Sequence, residues 1–154
     1  MKYLQKLIIL FAVILGFSSC DTYGDYDVEY NVVYPLGGEY EVAIYDAVAD
    51  TLFDGGFVVI TNTAAEDKDK IWFSCYGNNT ALDVKDKIGC NVKALTFEGQ
   101  GDGYTVSEGK LERKGFTTSA NTKIDKISFK IKLESPIDGV TELKAEGNRY
   151  EYWE

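Results

Sequence analysis

The acidic residues are the side chains of this sequence that could do acid–base chemistry. The chain carries 25 Asp and Glu residues and no histidine. The missing histidine excludes Ser-His-acid triads, Cys-His pairs and the usual zinc ligand sets, and no Gly-x-Ser-x-Gly elbow is present. Two carboxylates about 5 to 9.5 Å apart could still cleave a glycosidic bond. Since most of the acids fall in polar loops or on outward strand positions, we interpret them as solvated surface and predict no catalytic residue.

Two loops match ligand-binding patterns only in part. Asp67 and Asp69 could offer oxygens to calcium, but lysines alternate with them and the glycine and distal glutamate of a calcium loop are absent. The run Gly99-x-Gly101-x-Gly103 has no helix after it, so it indicates a hairpin and not a phosphate cradle. We therefore predict no metal site and no cofactor.

The first twenty residues have the pattern of a secretion signal that ends on a cysteine. Two lysines precede an apolar run from Leu7 to Leu15, and Gly16-Phe17-Ser18-Ser19-Cys20 follows. The apolar run is well short of the roughly 20 residues that a permanent transmembrane helix needs. A conventional cleaved signal would have small residues at alternate positions before the cut. The segment instead resembles the lipobox of bacterial lipoproteins, in the relaxed form common in the Bacteroidetes.

This interpretation divides the chain into a signal peptide (residues 1–19), a tether (20–25) and one domain (26–154). Cys20 becomes the first residue of the mature chain, where two or three acyl chains would anchor it stably to a membrane. The domain would then lie in the cell envelope, facing the periplasm or the cell exterior. Asp21 is an inner-membrane signal under enterobacterial sorting rules, but we favour the outer membrane.

The charge of the domain limits its partners. The net charge is −9 and becomes −11 without residues 1–19, because that segment contains Lys2 and Lys6 and no acidic residue. No basic stripe exists to displace counterions from phosphates, so we predict no nucleic-acid partner. An anionic bilayer would also repel the domain, which makes a covalent anchor at Cys20 necessary.

Cys75 and Cys90 are an even pair in what would be an oxidising compartment. A disulfide between them would close a fifteen-residue loop, which stabilises by about 3 kcal/mol in the chain-entropy model. Two unpaired thiols serving as small apolar side chains fit the sequence as well. The sequence leaves both alternatives open.

Composition and alternation predict an all-β domain. The chain has 11 Tyr, 8 Phe and 15 Gly but only 2 Pro, which is typical of strands joined by tight turns. The extended segments that we predict are Tyr26–Tyr34, Glu39–Tyr45, Phe57–Thr63, Ile71–Tyr76, Asn91–Glu98, Tyr104–Leu111, Asp125–Leu133, Val140–Glu146 and Asn148–Glu154. About eight short strands with turn signals between them indicate an antiparallel barrel or sandwich, mostly up-and-down.

Several short motifs carry a family resemblance. They are Gly38-Glu39-Tyr40, Ile60-Thr61-Asn62-Thr63-Ala64-Ala65 with Lys70-Ile71-Trp72, Ile124-Asp125-Lys126-Ile127-Ser128-Phe129 and Gly147-Asn148-Arg149. Together with the lipobox they resemble the small Bacteroidetes lipoproteins called lipid-binding putative hydrolases, over nearly all of the mature chain. The resemblance implies a lipocalin-like barrel and a lipid ligand. The hydrolase part of that label finds no matching nucleophile here.

Lipocalins close the base of the barrel with a Gly-x-Trp motif and an arginine from the last strand. The resemblance assigns this barrel-closing role to Gly38, Tyr40 and Arg149, with Tyr in place of Trp. A cation–π contact between Arg149 and the ring would contribute about 0.5 to 2 kcal/mol. The alternative is an exposed arginine on a terminal strand.

The aromatic residues are the candidate ligand-binding side chains. A barrel would bring together rings from different strands. The rings that we predict to contact a ligand are Tyr40, Phe73, Phe97, Phe129 and Trp153, with Trp72 as the alternative to Phe73. The interior of an eight-stranded barrel is either filled by side chains or holds one small ligand. We therefore predict a membrane-anchored lipoprotein that binds a lipid or other small hydrophobic ligand. The alternative is an accessory or structural surface lipoprotein whose exposed aromatics engage glycans or a partner protein, and a carboxylate hydrolase ranks third.

Overall fold

The computed structural model describes residues 32–64 and 67–150 of the chain. The strands in these residues are β1 Gly38–Asp46, β2 Thr51–Asn62, β3 Lys70–Gly77, β4 Asp83–Asn91, β5 Thr96–Gly101, β6 Tyr104–Thr117, β7 Lys123–Ile137 and β8 Val140–Arg149. No helix long and apolar enough to cross a membrane occurs among the described residues. The predictions for the signal peptide, the tether, Cys20 and Trp153 concern residues outside the described part of the chain.

The strands form a closed antiparallel barrel in sequence order, which confirms the predicted fold class. Each strand pairs with the next along the chain, and β1 pairs with β8 from Tyr40 opposite Arg149 to Asp46 opposite Leu143. We call the end that carries the short turns after β1, β3, β5 and β7 the mouth, and the opposite end the base. The β1–β8 pairing leaves no free sheet edge, which removes the usual route to edge-to-edge aggregation.

Alternation of inward apolar and outward polar residues builds the core. On β7 the predicted inward residues Ile127, Phe129, Ile131 and Leu133 are all buried, while Lys130 and Lys132 between them are exposed. Each fully buried Leu, Ile or Phe side chain contributes about 1.5 to 3 kcal/mol relative to an exposed one. Among the described residues, the buried apolar side chains lie between Val33 and Ala145.

The segment before β1 covers the base. Val33 and Leu36 are fully buried there, and Leu36 N–H donates to the Val33 carbonyl at 2.8 Å. We predicted an extended segment through Tyr34, but residues 32–36 form turns instead. Val33 and Leu36 enter the core through the end of the barrel. A strand at that place would have no neighbouring strand to pair with, because the barrel is already closed.

In the middle of the chain one expectation was wrong and one strand was not predicted. The predicted strand Asn91–Glu98 is interrupted by a turn at residues 92–95 with Leu95 at φ 58°, so β5 begins only at Thr96. Residues 83–91 form β4, although their sequence is charged and weakly patterned. Val84 and Ile88 point inward from β4, but Asp86 shares their parity, which obscures the alternation in the sequence.

The predicted break at Gly147 is wrong, because β8 runs without interruption from Val140 to Arg149; residues 151–154 of the predicted last strand lie outside the described residues. Gly147, which we interpreted as a break, lies directly against the β1 backbone, and a Cβ there would lie 2.6 Å from Val42 Cα. The glycine therefore allows β8 to pack closely on β1, and the strand continues to Arg149.

Candidate functional site

Three of the predicted ligand-binding aromatics form one cluster in the middle of the barrel. Phe73 lies 5.7 Å from Phe97 and 5.3 Å from Phe129, and Phe97 lies 6.0 Å from Phe129, measured between ring centroids. We call these residues the ring cluster. Each is at most 2% exposed, so side chains fill the interior at this level. The tilted and edge-on orientations are those that aromatic pairs prefer.

Tyr40 and Arg149 lie together at the base, apart from the ring cluster. The Arg149 guanidinium carbon lies 5.0 Å from the Tyr40 ring centroid, and Arg149 Nη2 donates to the Tyr40 hydroxyl at 2.9 Å. The same side chain donates to the Gly37 carbonyl at 2.8 Å and to the Pro35 carbonyl at 2.6 Å. These contacts tie β8 to the segment that covers the base.

Gly38 makes room for this arrangement. Its φ is +150°, and a Cβ there would clash with Arg149 Nη1 and lie 3.1 Å from Arg149 Cζ. The Tyr40 hydroxyl donates to the Leu36 carbonyl at 2.7 Å. Tyr40 and Arg149 therefore both bind the segment that covers the base. Burial raises the pKa of Tyr40 to about 12, although Arg149 acts to lower it. The hydroxyl therefore keeps its proton and remains a donor at neutral pH.

Sequence reasoning missed the anion of the base. Asp125 Oδ2 lies 3.4 Å from Arg149 Nη2, and Asp125 Oδ1 accepts from Arg113 Nε at 3.2 Å and from Lys114 N–H at 2.9 Å. Asp125 therefore bridges two arginines. The position of Asp125 directly after the inward Ile124 could have indicated a carboxylate close to the core. Nothing in the sequence identified the residues that it contacts.

The possible disulfide between Cys75 and Cys90 is not formed, because both are free thiols. Cys75 lies opposite Val84 on β4, and Cys90 lies six residues farther along that strand, roughly 20 Å away at strand rise. A disulfide requires Cα atoms roughly 4.4 to 6.8 Å apart. Cys75 is fully buried, whereas Cys90 is partly exposed and its Sγ lies 3.9 Å from the Lys68 carbonyl.

A buried carboxylate organises the mouth. Asp54 is 5% exposed and accepts hydrogen bonds from the N–H groups of Gly55, Asn79 and Thr80, from Asn79 Nδ2 and from Thr80 Oγ1, at 2.8 to 3.1 Å. Burial acts to raise the pKa of Asp54, but these hydrogen bonds more than offset it and hold the pKa well below its usual range. The ionised side chain therefore fixes the loop after β3 over the mouth.

The Asp67–Asp69 loop has structural contacts. Asp67 Oδ2 accepts from Thr63 Oγ1 at 2.9 Å and lies 3.8 Å from Lys87 Nζ. In the part of the chain that the structure describes, no group of three or more Cys, Asp or Glu side chains is placed to hold a metal ion.

A groove runs beside β5. It has a volume of about 650 Å³, and the residues that line it include Asp69, Cys90, Phe97, Glu98 and Lys110. Phe97 is the one aromatic residue of this lining. The lining also includes Glu108, so that three carboxylates and one lysine border the groove.

A second set of aromatics lies on the outer face of the barrel. The Phe57 ring centroid lies 5.9 Å from that of Tyr76 and 6.1 Å from that of Tyr150. Tyr76 and Tyr150 are each 40% exposed. Trp72 is 36% exposed on the same face and lies under Lys87 Nζ, which is 5.8 Å from the ring centroid.

The comparison with protein families gave one finding. The sequence profile of the family described as "Lipid-binding putative hydrolase" matches residues 25–154. No curated protein sequence was found to be similar to the chain.

Proposed function

Because the chain belongs to the lipid-binding putative hydrolase family, we propose that it binds a lipid or other small hydrophobic molecule in its barrel. We also propose that Cys20 is acylated and that the protein is a cell-envelope lipoprotein, facing the periplasm or the cell exterior at the outer membrane. The inner face of the closed barrel carries the proposal, because its buried apolar side chains form one hydrophobic cluster.

The packing of the interior limits where a ligand can lie. The ring cluster fills the middle of the barrel, and Val33, Leu36 and Tyr40 fill the base. The ligand would therefore enter from the mouth and end on the ring cluster, or displace it. If an apolar ligand replaced contacts between core side chains, the apolar area buried in the barrel would change little, because the ligand and the side chains are both apolar.

Native mass spectrometry of residues 21–154, which lack the signal peptide and Cys20, tests ligand binding. We expect a fraction of the protein purified from a bacterial host to carry an added mass of a lipid, and delipidated protein to take up an apolar probe such as dodecanol. A mass equal to that of the bare chain, together with no uptake of dodecanol, would contradict the proposal.

Labelling cells with radioactive palmitate tests the anchor. The full chain should incorporate the label and sediment with membranes, and the Cys20→Ser variant should do neither. The Cys90→Ser variant is the matched control, since it keeps Cys20. Equal labelling of all three proteins would contradict acylation at Cys20.

The outer-face aromatics favour a second candidate function. Phe57 on β2 and Trp72 and Tyr76 on β3 place exposed or half-exposed rings on neighbouring strands, and Tyr150 after β8 packs against Phe57. Such a surface suits a glycan or a partner protein. Substitution of Tyr76 and Trp72 by alanine should abolish glycan or partner binding in this case while leaving dodecanol uptake unchanged.

A further inference from the structure

Tyr104 and Asp86 bring two polar groups onto the inner face of the barrel near the mouth. Asp86 lies opposite Phe73 in the β3–β4 pairing, and directly opposite residues of an antiparallel pair project from the same face of the sheet. Since Phe73 is fully buried inside the barrel, Asp86 also projects inward. Asp86 is half-buried, and its Oδ1 accepts from Lys87 N–H at 2.9 Å.

The hydroxyl of Tyr104 lies over β5 and extends toward β4. Tyr104 is 3% exposed and lies opposite Gly101, where a Cβ would come within 2.6 Å of the hydroxyl oxygen. The absent side chain at Gly101 therefore leaves the inner surface of β5 free for the tyrosine ring. No donor or acceptor of the described chain lies within hydrogen-bonding distance of this buried hydroxyl.

Asp86 and the Tyr104 hydroxyl lie at the same height in the barrel. β4 and β5 pair only from Gly89 opposite Glu98 to Asn91 opposite Thr96. Continued toward the mouth, this register sets Asp86 opposite Gly101, the residue under the tyrosine ring. Asp86 Oδ2 accepts from Asp102 N–H at 3.1 Å, which fixes the carboxylate two residues from Tyr104.

The two groups have complementary hydrogen-bonding needs. Asp86 forms no ion pair within residues 32–64 and 67–150. Each of its oxygens accepts one backbone N–H, from Lys87 or Asp102, and a carboxylate has lone pairs to accept further donors. Burial, and then the charge of Asp86, raise the pKa of Tyr104 to about 12, so its hydroxyl stays protonated and can donate. A group that both accepts and donates would satisfy the two side chains together.

We propose that Tyr104 and Asp86 form the polar end of the ligand site and select a neutral amphiphile with a hydroxyl group. The ligand hydroxyl accepts from Tyr104 and donates to Asp86, and its acyl or alkyl chain runs toward the ring cluster. A fatty-acid carboxylate could accept from Tyr104 but would face the negative charge of Asp86. This inference rests on the proposed lipid-binding function and specifies its ligand class.

Two amphiphiles of equal chain length, dodecanol and dodecanoate, test the inference at pH 7 by calorimetric titration of residues 21–154. We expect the unsubstituted protein to bind dodecanol about tenfold more tightly than dodecanoate. Tyr104→Phe should weaken dodecanol binding about 3- to 10-fold, the range expected for one lost hydrogen bond. Asp86→Asn should strengthen dodecanoate binding about tenfold and so erase the preference.

Matched controls change the same chemical groups elsewhere. Tyr76→Phe removes a hydroxyl from the outer face, and Asp83→Asn removes an exposed carboxylate from the same strand as Asp86; neither should alter the affinities. Thermal unfolding of each variant checks that it is folded. Tyr104→Phe should be at least as stable as the unsubstituted protein, because it removes a buried hydroxyl that has no partner.

The outcomes separate the inference from the proposed function. Binding of both amphiphiles with equal affinity, unchanged in Tyr104→Phe and Asp86→Asn, would overturn the hydroxyl site and leave lipid binding standing. Binding of neither amphiphile would overturn the proposed function and the inference with it. A tenfold preference for dodecanol that both variants reduce supports both.

Discussion

The guanidinium of Arg149 covers the ring of Tyr40 at 5.0 Å and also donates to its hydroxyl at 2.9 Å. One side chain from the last strand thereby contacts the first strand twice. It also binds the Gly37 and Pro35 carbonyls, so that the closure of the barrel and the covering of its base depend on the same residue.

Arg149→Ala should therefore lower the free energy of unfolding by about 2 to 3 kcal/mol, because it leaves buried acceptors without their charged donor. Arg149→Lys should recover part of this loss, since a lysine cannot reproduce the planar fork of the guanidinium. Urea unfolding measures both. Lys144→Ala is the control, as Lys144 lies on the same strand in an exposed ion pair with Glu146, which is worth about 0 to 1 kcal/mol. Equal losses for Arg149→Ala and Lys144→Ala would contradict the closing role.

Gly38→Ala should destabilise the barrel by more than Gly139→Ala. Both glycines have positive φ, but a Cβ at Gly139 meets nothing within 4 Å, whereas a Cβ at Gly38 clashes with Arg149. We expect about 1 to 2 kcal/mol at Gly139 from backbone strain alone and a larger loss at Gly38. Thermal unfolding of the two variants checks the order, and a smaller loss at Gly38 would count against the contact.

Phe129→Ala removes one member of the ring cluster and should cost about 3 to 5 kcal/mol, the range for a buried phenylalanine that leaves a cavity. Phe116→Ala is the matched control, because Phe116 is 42% exposed, and it should cost less than about 1 kcal/mol. Chemical denaturation gives both values. If the two losses were equal, the ring cluster would not be the centre of the core.

The pKa of Asp54 makes stability depend on acid pH. Because hydrogen bonds hold this pKa below its usual range, the folded state binds the proton less tightly than the unfolded chain does. The contribution is therefore complete above the unfolded pKa of about 4 and is lost as pH falls below it. Asp54→Asn should lower stability at pH 7 and flatten the dependence below pH ~4, as measured by urea unfolding across pH. Asp83→Asn, which changes an exposed carboxylate, should leave that dependence intact.

Alkylation distinguishes the two free thiols. Burial raises the pKa of Cys75 to about 12, and burial followed by the charge of Asp69 raises the pKa of Cys90. We expect iodoacetamide to modify Cys90 slowly and Cys75 not at all in the folded chain of residues 21–154. Two adducts should form in urea without reductant, as counted by mass spectrometry. No adducts in urea would indicate a disulfide and contradict the structure.

Much of the fold could be predicted from residues whose environment is local. The alternation of Ile127, Phe129, Ile131 and Leu133 specifies a strand with one buried face, and the Asp102–Gly103 turn specifies the hairpin between β5 and β6. β4 could not be predicted in the same way, since Asp86 lies on the inner face and breaks the alternation. A polar residue on an inner face hides the alternation by which a strand is recognised, and such exceptions are expected at functional sites.

The sequence by itself determined most of the strands, several of the turns and the chemical types that could meet, because side-chain period and turn preference act over a few residues. Only the tertiary structure decided which of them meet. Closure of β8 on β1 brings Arg149 to Tyr40, and the register of β3 with β4 keeps Cys75 away from Cys90. The glycine at position 101 lets the ring of Tyr104 extend toward Asp86. Such pairings depend on contacts between distant parts of the chain, which no local pattern records.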